Sequence, residues 1–104
     1  MALPPLSTEQ RRTALEKAVT VRKERAAVRD ALKRGDLTLR QVLADDRQAI
    51  RKMPVRTLLE ALPAIGRIRA RKVLAELRIA ESRRVRGLGA QQRKRLLDRF
   101  TPRP

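Results

Sequence analysis

Between Ser7 and Gly35 the chain runs for 27 residues without a glycine or a proline, and that uninterrupted length predicts one long helix. Ser7 followed three positions later by Gln10 is a capping-box pattern, Pro4 and Pro5 keep the residues before it extended, and Gly35 is the natural stop. Ala14, Ala18, Val21, Val28 and Leu32 recur at helical spacing. The stripe is made of small residues, however, and Arg25 interrupts it. A helix with so thin an apolar face docks over only part of its length, and the rest stands out as an arm.

The remainder reads as shorter helices with larger apolar side chains. From Asp36 a short helix carries Leu39, Val42 and Leu43 on one face, and the polar stretch DDRQAIRK follows as a connection. A third helix starts after Met53-Pro54, where proline in the first turn is tolerated, and runs through Val55, Leu58, Leu59 and Leu62 to Pro63. A fourth, over about residues 67–77, buries Ala70, Val73, Leu74 and Leu77 and turns Arg67, Arg71 and Arg78 outward. The connection RIAESRRVRGLG leads to a last helix from about Ala90 that buries Leu96, Leu97 and Phe100. No strand-period alternation reaches five residues and no repeat is evident, so the reading is all-α with five helices. At 104 residues the chain has room for one core and an arm. The boundary falls at Gly35: residues 1–35 form a basic helical arm and residues 36–104 the compact domain.

Charge selects the partner. Twenty-seven Lys and Arg residues stand against 11 acidic ones, a net charge of +16, which favours polyanions. Residues 63–104 hold thirteen basic and three acidic residues, net +10, so the field is concentrated in the C-terminal half. A membrane-surface helix would back its basic face with bulky apolar or aromatic side chains, and Phe100 is the one aromatic residue. The same scarcity argues against single strands, whose splayed bases need aromatic platforms. Duplex nucleic acid is the expected partner, and neither a membrane nor a small-molecule substrate is expected. With no cysteine and no histidine, disulfides, zinc fingers, thiol nucleophiles and imidazole bases are excluded together. The N-terminal MALPPLSTEQRR lacks the apolar core of a signal peptide, and a cytoplasmic setting is expected.

Two segments are suited to phosphate. In LPAIGRIRARK, residues 62–72, one helix ends at Pro63, the chain reverses, and a new helix begins near Arg67 with free backbone N–H groups. Ile65 anchors the turn, Gly66 lets the backbone approach a phosphate closely, and Arg67, Arg69, Arg71 and Lys72 add charge within a turn and a half. An ordinary helical corner would need the glycine but not the four cations. In ESRRVRGLG, residues 81–89, Arg83, Arg84 and Arg86 sit in a short connection bounded by Gly87 and Gly89, with Val85 and Leu88 to pin it. Three arginines in four positions repel one another unless an anion lies between them, and arginines on a stiff loop suit a narrow minor groove. Lys52 reads as a further phosphate contact, as do Arg22, Lys23 and Arg25 on the arm, where acidic neighbours are few.

These segments carry a resemblance. The run LSTEQRR, ALEKA and RKERA, the piece LLEALPAIGRIRARKVL and above all SRRVRGLG resemble the actinobacterial integration host factor family over roughly residues 2 to 100. The resemblance implies a long N-terminal helix followed by a helix-two-turns-helix DNA-binding domain, a fold also used by a small-subunit ribosomal protein and by some repair glycosylases. It further implies a nucleoid-associated protein that binds duplex DNA with little sequence preference, bends or compacts it, and assists a phage integrase on shared DNA. Carried onto matching positions, Pro63 to Arg67 contact phosphates and Arg83, Arg84 and Arg86 reach the groove. One departure stands out: Ala64 occupies a turn position where the family often has glycine, and if φ is positive there alanine costs about 1 kcal/mol. An RNA- or ribosome-binding module of the same fold is the alternative. No enzyme activity and no cofactor are expected, because base flipping needs a stacking pocket and the chain has no Trp, Tyr or His.

Overall fold

The computed structural model describes residue 5 and residues 7–100. The described residues form helix α1 (Thr8–Arg34), α2 (Leu39–Leu43), α3 (Gln48–Arg51), α4 (Val55–Ala61), α5 (Arg67–Glu76), a 3-10 turn over Val85–Gly87, and α6 (Ala90–Phe100). The all-α reading holds, with one more helix than the sequence pattern suggests. The extra element is α3, in the stretch read as a polar connection. It has four residues and no side-chain cap; what holds it is the burial of Ala49 and Ile50, a tertiary effect with no local signature.

The ends of α1 follow from its sequence. Ser7 Oγ accepts from the Gln10 backbone N–H at 3.1 Å, and Gln10 Oε1 accepts from the Ser7 N–H at 2.8 Å. Gly35 closes the helix at φ 80°, a left-handed conformation that costs glycine nothing. Thr38 and Gln41 repeat the same reciprocal cap at α2.

Side chains from every helix meet in one core. Leu39, Val42 and Leu43 of α2, Ile50 of α3, Val55, Leu58 and Leu59 of α4, Ala70, Val73 and Leu74 of α5 and Leu96 of α6 pack with Met53, Ile79 and Val85. No charged or polar side chain is buried with them among the described residues. The last turns of α1 join this core, with Val28 2% and Leu32 0% exposed, whereas residues 8–20 are exposed throughout. Docking of α1 is therefore partial, and the residues that dock belong to the same cluster as the rest of the domain.

Two polar contacts fix α1 at the α2–α3 junction, and a third braces the junction itself. Arg25 Nε donates to the Ala49 carbonyl at 2.9 Å, Arg47 lies 3.7 Å from Glu24, and Arg47 pairs with Asp45 at 2.8 Å. Hydrogen bonds from the Arg47 side chain hold the Asp45 carboxyl below its ordinary range, against a smaller opposing effect of burial. The sequence assigns Arg25 to phosphate from the arm; the structure instead joins its half-buried side chain to α3. At the far side of the domain Arg93 donates to the Leu43 carbonyl at 3.0 Å, tying α6 to the end of α2. A 27-residue helix is about 40 Å long, and its free outer half accounts for the elongation of the molecule to 56 × 32 × 24 Å.

Candidate nucleic-acid interface

Helix α4 ends at Leu62, whose carbonyl accepts from Ile65 N–H at 3.2 Å, and half-buried Ile65 packs on the core. Between them Ala64 sits at φ 63°, in the left-handed region disfavoured for a residue with a Cβ. The condition attached to this position in the sequence is met. Gly66 caps α5 in extended conformation, φ −90° and ψ −178°, without a side-chain hydrogen bond. The first N–H groups of α5 are left uncapped by side chains, beside exposed Pro63 and Gly66. A Cβ built on Gly66 would meet nothing within 4 Å, so the protein's own packing does not demand glycine there.

Arg67, Arg69, Arg71 and Lys72 are all exposed on α5. Arg71 donates to Glu81, which ties α5 to the loop that carries the second segment. Near the start of α5 a shallow, open depression of about 710 Å³ is lined by Gly66, Arg67, Ile68, Arg69, Lys72, Val73, Glu76 and Arg99. Ile68 is 84% exposed at this rim, a large apolar residue that the helical stripe leaves unassigned.

The loop of residues 81–89 is held by its backbone. Val55 N–H donates to the Arg83 carbonyl at 2.9 Å and Val85 N–H to the Met53 carbonyl at 3.0 Å, so Pro54 and Arg84 pair as a short antiparallel bridge. Val85 is buried and Leu88 partly so, as the pinning role requires. The three arginines differ in use. Arg83, half-buried, donates to the Gly87 carbonyl at 3.0 Å; Arg84 donates to the Lys52 carbonyl at the end of α3; Arg86 is exposed. Together with Ala80, Ser82 and Gly87 they line a concavity of about 280 Å³. Lys52 is exposed beside this loop and Gly89, also exposed, precedes α6. Its N–H donates to Gln92 at 3.0 Å.

The structure thus brings Lys52 together with Arg84, and through Arg71 and Glu81 links the loop to α5. Arg22 and Lys23 are exposed on α1, about one turn before the docked Arg25. Among the described residues no group of three or more His, Cys, Asp or Glu side chains gathers as metal ligands, and no helix is long and apolar enough to cross a membrane.

Short helices around one core, a cation-rich turn into α5 and a pinned arginine loop define a helix-two-turns-helix protein; the family model described as "S13-like H2TH domain" matches residues 32–100. The chain is 52% identical to the integration host factor of Mycolicibacterium smegmatis over 96% of its own length and 97% of the relative's. It is likewise 52% identical to that of Mycobacterium tuberculosis over 96% of this chain and 97% of that one, and 50% identical to that of Streptomyces coelicolor over 88% of each. The chain belongs to the actinobacterial integration host factor family. A solved structure of sIHF bound to an 8-bp palindromic DNA is similar, with a TM-score of 0.80 and 44% identity over 82% of this chain and 98% of that chain.

Proposed function

We propose that this chain is an architectural, nucleoid-associated protein that holds duplex DNA with little sequence preference and bends or compacts it by binding alone. The observation that carries the reading is the likeness to a family member bound to a DNA duplex, joined to the net charge of +16. The turn of residues 63–67 with Arg69, Arg71 and Lys72 would take phosphates on the uncapped N–H groups and side chains of α5. The Arg83, Arg84 and Arg86 loop, with Gly87 and Gly89 at its edge and Lys52 beside it, would face a groove. Arg22 and Lys23 would add phosphate contacts from the arm. Phosphate contacts position a protein without reading sequence, which accords with weak preference. A bent or compacted duplex would in turn assist a phage integrase working on the same DNA.

The S13-like character of the domain favours a second reading, binding of RNA duplexes. Competition between DNA and RNA duplexes of equal length for the intact chain separates the two. The DNA reading expects the DNA duplex to compete better; an RNA duplex that displaces the probe more effectively overturns it.

A further inference from the structure

We propose that Ile68 is an apolar contact to the minor groove, pressed against deoxyribose and base edges between phosphates held by the surrounding cations. This inference rests on the duplex-DNA reading above and adds a residue to it. Ile68 is 84% exposed, more than the two other exposed large hydrophobics among the described residues, Leu15 at 66% and Val19 at 39%. A scattered surface hydrophobic is ordinary, so exposure is only the starting point. Three further features single Ile68 out.

The first is direction. With 100° between successive residues, Ile68 projects diametrically opposite the row of Ala70, Val73, Leu74 and Leu77 that faces the core. The second is surroundings: Arg67 and Arg71 lie on one side of it, Arg69 on the other and Lys72 one turn on, all exposed. Helical side chains lean toward the N-terminus, which carries Ile68 toward the uncapped tip. The third is residue type. A β-branched side chain loses rotamer freedom in a helix and is a poorer helix former than Lys, Gln or Arg, and in the free chain Ile68 recovers nothing by burial. That same stiffness suits a wedge.

Charge complementarity names the occupant. Cations on both sides of Ile68 fit phosphates on both sides of it, and what lies between the phosphates of a minor groove about 6 Å wide is sugar and base edge. Architectural proteins place isoleucine, leucine or methionine in that position.

The test compares the intact chain with full-length Ile68→Ala, Ile68→Gln and Arg69→Ala, reading anisotropy of a labelled duplex of about 20 bp at several salt concentrations, with linear polyphosphate as a second ligand. Polyphosphate offers charge but no sugar or base. Both Ile68 variants should bind duplex roughly 3- to 20-fold more weakly at every salt concentration, with an unchanged salt slope and unchanged polyphosphate affinity. Arg69→Ala should weaken both ligands and reduce the duplex slope by about 0.9. Circular dichroism should be the same for all. Duplex affinity of the Ile68 variants within about 1.5-fold of the intact chain, or an equal loss on polyphosphate, overturns the proposal. Failure of the intact chain to bind duplex even at low salt overturns instead the DNA reading beneath it.

Discussion

Replacing Ala64 by glycine should stabilise the protein, against the usual effect of adding glycine. Ala64 is held at φ 63°, and a Cβ in that region costs about 1 to 2 kcal/mol. Glycine removes this strain but adds freedom to the unfolded chain, a loss of about 0.4 to 1 kcal/mol. Ala64 is exposed, so little burial is forfeited, and the net gain is about 0.5 to 1 kcal/mol. With a urea m value of roughly 1.5 kcal/mol/M, the midpoint followed by circular dichroism should rise by about 0.3 to 0.7 M. Two glycines calibrate the measurement. Gly35→Ala, at φ 80°, should lower the midpoint, whereas Gly66→Ala, at φ −90° with open space for its Cβ, should leave it nearly unchanged. Arg78, at φ 58°, closes α5 in the same left-handed conformation, with Ile79 N–H reaching back to the Leu74 carbonyl at 2.8 Å, and Arg78→Gly should stabilise likewise. A midpoint that falls or stays still in Ala64→Gly, while Gly35→Ala falls as expected, would refute the strain assigned to this turn.

Changing Arg83, Arg84 and Arg86 together to Ala should abolish most duplex binding while circular dichroism keeps the helical signal; binding within about threefold of the intact chain would count against the loop. Changing Arg22 and Lys23 together to Ala should leave the core cooperative and bind DNA more weakly with a shallower salt slope. Leu32→Ala, by contrast, should cost about 2 to 5 kcal/mol in urea unfolding, because its side chain is fully buried. Asp45 is held below its ordinary value by Arg47, so its contribution is fully present above about pH 5 and is lost as pH falls below the ordinary aspartate value of about 3.9. Asp45→Asn should therefore flatten the acid limb of a stability–pH curve, and an unchanged limb would dismiss the pair as a source of stability.

The parts of the fold legible in the sequence are those with a local chemical cause. Ser7, Gln10 and Gly35 mark both ends of α1, and the Ala70 to Leu77 stripe marks the buried side of α5, because capping and helical periodicity act within a few residues. The positive φ at Ala64 was foreseeable because the family often places glycine there. Helix α3 was not, since its four residues are organised by contacts from α1 and the core. Nor does composition distinguish arginines that face solvent from Arg25 and Arg93, whose guanidinium groups close on main-chain carbonyls of distant helices. Ile68 carries no sequence signal for a related reason: periodicity marks apolar residues that share a face, and Ile68 stands alone on the opposite one.

The central claim, that this chain grips duplex DNA through its phosphates, is tested most directly by the salt dependence of affinity for two duplexes of unrelated sequence. If six to ten phosphates are neutralised, affinity should fall by roughly 10³ to 10⁵ between 50 and 200 mM salt, with parallel lines for the two sequences. A nearly flat salt response, or one sequence bound far more tightly than the other, would contradict it.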